Sequence, residues 1–258
     1  MLFRRKHAAS PTQGSEPAAA EVPCKPRRTA GRVIREWLTA FALVAAISIP
    51  IRSSIADWND VPSGSMRPTI LEGDRIYVNL LAYGLRIPFT TSWLARWDAP
   101  KRGEIVTMKS PADGVRLVKR VIGLPGDHIA MQGNRLVING APSDVLITDP
   151  DETLVLEDGR KVNVALGEEN LNDDRGLASR HALTLTPGAL SPHTFSEIVV
   201  PEGKYFMMGD NRDMSRDSRM IGFVPLESIY GRSRYVALSL DPGNSYWPRW
   251  ERWFSAIK

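Results

Sequence analysis

A serine-rich turn around residue 65 holds the first side chains that could do chemistry. Residues 61–70 contain two prolines and a glycine, with Ser63 and Ser65 close to all three. Such a composition excludes a regular helix and favours a stiff turn that can expose a hydroxyl. A serine hydroxyl is a weak nucleophile without a base. An ordinary serine-rich turn therefore stays the alternative unless the sequence also supplies a base.

Lys119 is the candidate base, because it interrupts an apolar, strand-like run at residues 115–122. With a side-chain period of two, Lys119 shares one face with Val115, Leu117 and Val121. Burial among apolar neighbours disfavours the ammonium form and lowers the pKa, which a lysine base needs at neutral pH. The alternative is a lysine near a sheet edge, with its stem packed and its ammonium group in water.

Residues 209–219 form a third cluster, with three Asp and three Arg among hydroxyl and amide side chains. This density favours a loop held by hydrogen bonds and ion pairs. A calcium loop is less favoured, because Arg alternates with the acidic positions and no Glu closes the loop. The four His residues lie outside any cluster of Ser and Asp, which favours a Ser-Lys pair over a Ser-His-Asp triad. The His residues and the single Cys24 lack zinc spacing, so we expect no metal and no cofactor.

Together, these clusters resemble the motifs of bacterial type I signal peptidases, also called leader peptidases. The matching blocks are S-G-S-M-x-P-T at 63–69, R-G-E-I-V at 102–106, K-R-V-I-G-L-P-G-D at 119–127, G-D-N-R-D-x-S-x-D-S-R at 209–219 and G-F-V-P at 222–225. The resemblance implies a membrane-bound serine endopeptidase that removes signal peptides from exported preproteins after small-x-small sites.

The resemblance also implies roles for individual residues. Ser65 matches the family's nucleophile and Lys119 its general base, while Ser63 matches the oxyanion-hole serine. Ser215 matches the hydroxyl that orients the lysine. Three charged residues match the ion pairs that brace it: Asp217, Arg219 and Arg120. The pockets for small substrate residues fall at five apolar positions: Val61, Met66, Ile70, Leu117 and Val118.

Two features depart from the family pattern. Met214 stands where Asn is common, and Met220-Ile221 stand where an aromatic pair is usual. We expect altered packing at both places and unchanged chemistry. One apolar segment and the absence of a Cys pair resemble the short-form members.

The N-terminal part predicts a membrane topology. The uncharged stretch 37–51 is too short to cross a bilayer, but residues 33–55 are long enough if Arg35 and Arg52 extend their charges outward. A buried globular helix would show a polar stripe. A cleaved signal peptide would have a shorter leading region, although Ser54-Ile55-Ala56 is a passable cleavage site. The basic residues before the segment predict a cytoplasmic N-terminus and an exported remainder.

The net charge of +4 fits this topology better than it fits nucleic-acid binding. Residues 1–36 hold eight Lys or Arg against three Glu, and the rest of the chain is slightly acidic. Duplex binding usually needs a basic face on a folded domain. We therefore expect no nucleic-acid partner. The expected partners are preproteins and membrane lipid, and the expected state is a single-pass monomer in the bacterial inner membrane, with the catalytic domain on the periplasmic side.

The exported part predicts a mainly β, antiparallel fold. Apolar runs bounded by Gly, Pro and Asp predict strands at 75–78, 104–108, 115–122, 205–208 and 230–240. Gly133-Asn134 predicts a hairpin turn between residues 129–132 and 135–138. The predicted organisation is a disordered basic tail (1–32), a transmembrane helix (33–55), a catalytic β domain (56–138 and 197–258) and an inserted subdomain or loops (139–196).

Some alternatives stay open. The C-terminal residues 246–254 contain three Trp and two Arg, as membrane-interface segments do, or they fold back on the β core. A dedicated Ser-Lys peptidase with one substrate, such as the pilin-processing peptidase of conjugation systems, is the main functional alternative. A non-enzymatic membrane-anchored β domain is another. A self-cleaving repressor is disfavoured, because the first 60 residues show no helix-turn-helix.

Overall fold

The computed structural model describes residues 30–87, 90, 92–155, 159–172, 178–189 and 191–257. The predicted tail, residues 1–32, lies outside this part of the chain except for its last three residues. Within the described part the helices and strands, in chain order, are α1 (Ala30–Ser54), β1 (Ala56–Asp60), β2 (Asp74–Asn79), β3 (Gly84–Arg86), β4 (Trp93–Arg96), β5 (Ile105–Lys109), β6 (Arg116–Gly123), β7 (His128–Gln132), β8 (Arg135–Ile138), β9 (Ala141–Pro142), β10 (Asp144–Val155), β11 (Lys161–Asn172), β12 (Ala178–Leu185), β13 (Phe195–Val199), β14 (Lys204–Met208), α2 (Ser218–Ile221), β15 (Val224–Pro225), β16 (Ile229–Asp241) and β17 (Trp247–Pro248).

Helix α1 contains most of the segment predicted to span a membrane. The chain divides into two compact units at residues 45 and 46, within this helix. In the first unit, six large apolar side chains of α1 are more than half exposed: Ile34, Trp37, Leu38, Phe41, Leu43 and Val44. No helix among the described residues is long and apolar enough to cross a membrane.

The mainly β, antiparallel fold predicted for the rest of the chain is confirmed. The largest sheet has the strand order β1-β2-β16-β5-β6-β14-β15, with β17 paired to β16. Each of the five apolar runs that predicted strands lies in this sheet, as β2, β5, β6, β14 and β16. Three smaller sheets have the orders β13-β7-β8-β9, β10-β11-β12 and β3-β4.

Strand β6, which carries Lys119, is an interior strand of the largest sheet. It pairs with β5 on one side, where Lys119 faces Val106, and with β14 on the other. Val121 lies in one buried apolar cluster and Ile122 in another, so apolar side chains cover both faces of the strand. The sheet-edge interpretation of Lys119 is therefore wrong.

Two local predictions can be compared with the structure directly. Gly133 and Asn134 join β7 to β8 with φ angles of 56° and 66°, the left-handed conformation that a two-residue hairpin turn requires.

Residues 139–196 are mainly strand, because they contain the three-stranded sheet β10-β11-β12. This sheet belongs to the same compact unit as the largest sheet. The domain boundaries given above stay a prediction.

Candidate active site

Ser65 lies at the centre of a short 3₁₀ turn, Gly64–Met66, between β1 and β2. Met66 and Ile70 anchor the turn, since both side chains are fully buried in an apolar cluster. The backbone N–H of Ile70 also donates to the Met66 carbonyl oxygen at 2.9 Å. The buried side chains of Met66 and Ile70 and this hydrogen bond therefore hold the turn on the core, while Ser65 itself is half-buried.

The loop after β14 holds the same turn from a second direction. The backbone N–H of Asn211 donates to the carbonyl oxygen of Ser65 (3.2 Å), and its side-chain amide donates to that of Gly64 (3.1 Å). Gly209 permits this approach, because a Cβ there would lie 2.4 Å from the Ser65 carbonyl oxygen. Sequence reasoning assigned no role to Asn211 or Gly209, although both belong to the block at 209–219.

Lys119 reaches Ser65 from β6. Its Nζ lies 2.5 Å from the Ser65 Oγ, and its side chain is 1% exposed. Burial lowers the pKa of Lys119 to about 8, against the opposing charges of Asp217 and Asp210. At such a pKa a useful fraction of the amine is neutral near physiological pH, and a neutral amine can accept a hydroxyl proton.

Arg120, the next residue of β6, is one of the charged residues that the resemblance assigned to the ion pairs around the lysine, and the structure shows its partner. Its guanidinium forms a two-point ion pair with Asp210, at 2.8 and 2.7 Å, and both side chains are almost completely buried. Thr69 also donates to Asp210, at 2.5 Å. Burial alone would raise the pKa of Asp210, but Arg120 and these hydrogen bonds lower it below its usual value. This carboxylate therefore links the lysine strand, the serine turn and the loop.

Asp217 and Arg219 form the second buried ion pair near the lysine. The Arg219 Nε and Nη2 lie 2.9 Å from the two Asp217 carboxylate oxygens. Asp217 also accepts from the backbone N–H of Gly209 at 3.0 Å and caps the N-terminus of α2. The pair therefore fixes the loop whose Asn211 holds the serine turn.

The two remaining serines of the predicted site differ in their surroundings. Ser215 is 7% exposed and packs against Gly209, but its Oγ has no hydrogen-bond partner among the described residues. The hydrogen bond to Lys119 implied by the resemblance is therefore not formed in this structure. Ser63 is exposed and lies beside Ser65 at the same cleft.

Comparisons with known proteins identify the family. A family model described as signal peptidase, peptidase S26, matches residues 34–238, which is more than half of the chain. This chain belongs to the S26 signal peptidase family. The family identifies it as a serine endopeptidase, so the non-enzymatic alternative is wrong.

Two relatives of similar sequence agree with the family match of this S26 peptidase, and one solved structure was also found. A signal peptidase I of Pseudomonas fluorescens is 32% identical over 266 residues, which cover 96% of this chain and 88% of the relative. A signal peptidase I of Rickettsia canadensis is 36% identical over 218 residues, covering 80% of each chain. A solved signal peptidase I structure from Enterococcus faecalis is 31% identical over 52% of this chain and 97% of that one, with a TM-score of 0.30.

The serine and lysine of this S26 peptidase lie in an open cleft of about 460 Å³. Leu117 is the one predicted pocket residue that lines it among the described residues. The other four lie in the buried apolar cluster beneath the serine turn: Val61, Met66, Ile70 and Val118. Met214, expected only to alter packing, lines the cleft and is 37% exposed, and Leu154 of β10 lines it as well.

A third buried ion pair joins the three-stranded sheet of this peptidase to the loop at 209–219. Glu169 of β11 contacts Arg212, and both side chains are fully buried. Burial lowers the pKa of the adjacent His181 to about 4, so this imidazole is neutral at physiological pH. Thr184 of β12 donates its backbone N–H to the Asp210 carbonyl oxygen at 2.9 Å. Sequence reasoning missed Glu169, His181 and Thr184, because they lie in a stretch that matched no family block.

No group of three or more His, Cys, Asp or Glu side chains that could hold a metal ion lies in the described part of the S26 peptidase.

Proposed function

We propose that this S26 family member is a signal peptidase that cleaves exported preproteins after small-x-small sequences. Ser65 is its nucleophile and Lys119 its general base. The observation that carries the proposal is the 2.5 Å separation between the buried Lys119 Nζ and the Ser65 Oγ at an open cleft. A nucleophile and a base within hydrogen-bond reach are the signature of nucleophilic catalysis.

Catalysis starts from the neutral amine of Lys119. As the Ser65 Oγ attacks the scissile carbonyl carbon, the Lys119 Nζ takes the hydroxyl proton and becomes an ammonium group. That ammonium group then gives its proton to the departing amine nitrogen of the mature protein. The signal peptide stays bound to Ser65 as an ester. Water attacks this ester while Lys119 accepts one of its protons. Lys119 then returns that proton to the departing Ser65 Oγ, and the signal peptide leaves as a carboxylic acid that ionises in water.

The negative charge that develops on the carbonyl oxygen needs hydrogen-bond donors. The Ser63 hydroxyl and the backbone N–H of Ser65 fill this role in the proposal, since both serines line the same cleft. Donors fixed before the reaction stabilise the transition state without reorganisation at the moment of bond breaking. Ser63 is therefore proposed as an oxyanion-hole residue.

The ammonium form of Lys119 must also be stabilised, because it forms inside the protein. Asp217 and Asp210 raise the pKa of Lys119 and so oppose the effect of burial. Arg219 forms an ion pair with Asp217, and Arg120 forms one with Asp210 that helps to hold the pKa of the Asp210 carboxyl below its usual value. We propose that the balance sets a lysine pKa from which the proton can be both accepted and returned. Ser215 would orient the lysine once substrate is bound.

The apolar cluster beneath the serine turn accounts for a preference for small side chains. Its members Met66 and Ile70 are fully buried, so they close the space under Ser65. A pocket that ends on such side chains is shallow and accepts Ala more readily than Phe. We propose that Leu117 of β6, which lines the cleft, forms the opposite wall, and that Val118 and Val61 support the floor of the pocket from the buried cluster.

The proposed location is the inner membrane, with α1 as a single-pass anchor and the catalytic part on the periplasmic side. The exposed apolar side chains of α1 support it. The C-terminal segment supports it as well: its backbone pairs with β16, while Trp247, Trp250 and Phe254 are 61–76% exposed. Aromatic side chains of this kind favour the membrane interface. Protease added to intact spheroplasts should degrade the catalytic part and spare a tag on the N-terminus.

The proposed activity is tested with the full-length protein in detergent and several unrelated preproteins. We expect each preprotein to be cut after its small-x-small site, and the Ser65→Ala variant to cut none. Processing of a single preprotein would instead indicate the dedicated peptidase. If the wild-type protein cuts none of them, or if Ser65→Ala cuts as the wild type does, the proposal is wrong. The monomeric state is checked on the same sample by light scattering.

A further inference from the structure

A second cleft of about 490 Å³ adjoins the cleft that contains Ser65 and Lys119. Three residues line both clefts: Arg67, Glu72 and Leu154. Among the described residues, neither the serine, the lysine nor any predicted small-residue pocket position lines the second cleft. The two clefts therefore form one groove, and the second part leads away from the proposed small-residue pockets.

The second cleft combines apolar side chains with charges that are already paired. Its apolar residues include Leu71, Leu154, Val155 and Pro242. Arg67 contacts Glu72 at 2.5 Å, and Arg249 contacts Asp241 at 2.9 Å. Because each of these guanidinium groups has a carboxylate partner, the cleft presents no free charge from them to a ligand. It is suited to an uncharged or apolar peptide segment.

Strand β10 brings backbone as well as side chains to this groove. Thr153, Leu154 and Val155 end the strand and line the second cleft. β10 pairs with β11 along one edge, and no strand of the described residues pairs with its other edge. An extended peptide can add to such an edge by main-chain hydrogen bonds, while alternate side chains enter pockets.

We propose that this second cleft binds the segment of the preprotein that follows the scissile bond, and that Leu154 determines its specificity. The inference rests on the proposed function. If the small-x-small residues lie along Leu117 and the scissile carbonyl lies at Ser65, the chain beyond the scissile bond continues past Arg67, Glu72 and Leu154. The ligand is thus an extended, apolar or uncharged stretch of the mature protein, and the inserted sheet is part of the substrate site.

The test uses full-length protein in detergent, one short peptide and a series of long peptides, all with the same small-x-small sequence. The short peptide ends one residue after the scissile bond. Each long peptide continues for six residues and has a Leu at a different one of these six positions. We expect the long peptides to have a lower KM than the short one. Leu154→Ala should raise the KM of the best long peptide about tenfold, with kcat nearly unchanged, because one apolar contact is lost.

A matched control variant is available on the same strand. Leu146 of β10 is 58% exposed and lines neither cleft, so Leu146→Ala should leave the cleavage of short and long peptides unaffected. Leu154→Glu should in addition favour a long peptide with Lys at the sensitive position over one with Leu. Because Leu154 also lines the cleft of Ser65 and Lys119, its variants are compared by the ratio of the KM for the long peptide to the KM for the short peptide, and that ratio should rise about tenfold in Leu154→Ala.

The outcomes separate this inference from the proposed function. If Leu154→Ala cuts the long peptides as Leu146→Ala does, while small-x-small cleavage continues, the second cleft is not a substrate site and the peptidase activity stands. An equal loss on short and long peptides would also overturn the inference, because it would place the effect at the serine turn. If the wild-type protein cuts neither the short nor the long peptides, the proposed function fails and this inference fails with it.

Discussion

Lys119 and Arg212 are two buried cations in neighbouring regions of the molecule, and their surroundings differ. Arg212 is fully buried at the junction with the three-stranded sheet, where it contacts the equally buried Glu169. Lys119 is 1% exposed and makes no ion pair with a carboxylate of the described residues; its Nζ contacts the Ser65 Oγ instead. Burial alone would lower the pKa of Arg212, but Glu169 raises it, whereas the pKa of Lys119 falls to about 8.

The difference shows how one loop can support both structure and chemistry. A buried cation with a carboxylate in contact stays charged, and it fixes the two elements that carry the pair. A buried cation without such a contact loses its proton more easily, which makes it a candidate base. Substitutions at the two positions should therefore have opposite consequences for activity and for stability.

The largest expected effect is the loss of activity in Lys119→Met. Without a base at Ser65, kcat/KM for a preprotein should fall about 10⁴-fold or more. The midpoint of thermal unfolding should stay unchanged or rise, because a buried amine is replaced by an apolar chain of similar shape. Lys109 on the adjacent strand β5 is exposed, and Lys109→Met is the matched control with full activity. Activity within tenfold of the wild type in Lys119→Met would contradict the assignment.

The second-largest expected effect is a loss of stability when the ion pair between Arg212 and Glu169 is broken. Glu169→Gln leaves Arg212 buried without a counter-charge and should lower the free energy of unfolding by about 3–5 kcal/mol. A Glu169→Gln variant that also carries Arg212→Met should recover most of this loss. Urea unfolding measures both.

The control for that measurement is the neighbouring residue. Glu168 forms an exposed ion pair with Arg180 at 2.6 Å, so Glu168→Gln should cost about 1 kcal/mol or less. If Glu169→Gln costs no more than Glu168→Gln, the buried pair does not hold the inserted sheet to the loop, and the contrast with Lys119 disappears.

Ser63→Ala has a smaller expected effect, and it separates the oxyanion role from the base. Removing one donor should lower kcat about 10²- to 10³-fold without changing the pH at which activity is half-maximal. Ser63 is exposed, so the thermal unfolding midpoint should not move. A shift of the pH profile with unchanged kcat would assign Ser63 to the environment of the lysine instead of the oxyanion.

Local patterns predicted the strands and the burial of Lys119. The alternation around β6 and the turn residues Gly133-Asn134 act over a few positions, so the sequence is enough to locate them. A charged residue in an apolar strand is also a local signal, and it indicates Lys119 independently of the family motifs.

Long-range pairing could not be predicted in the same way. Arg120 pairs with Asp210, 90 residues away, and only the packing of the loop on β6 decides that partner. Glu169 and His181 lie in polar sequence, where side chains are normally exposed, so nothing local indicates that they are buried. The apolar character of Val61 and Ile70 fits a pocket wall and the core beneath it equally well, so the sequence alone does not distinguish these two positions.

The smallest expected effect is a shift in pH dependence, and it tests the origin of the Lys119 pKa. Activity requires the neutral amine, so kcat/KM should rise as the pH increases and reach half of its maximum near the lysine pKa of about 8. Asp217 raises that pKa by stabilising the ammonium form. Asp217→Asn removes this charge and should move the half-maximum to lower pH by about one unit.

Asp217 also caps α2, so the variant will be less stable, but the position of the half-maximum does not depend on the folded amount. Asp113 is the control, since its carboxylate is paired with Arg216 on the surface, and Asp113→Asn should leave the profile in place. A half-maximum that stays fixed or moves to higher pH in Asp217→Asn would mean that another group, and not Lys119, limits the reaction. In that case Lys119, like Arg212, would be a buried cation without a role in proton transfer.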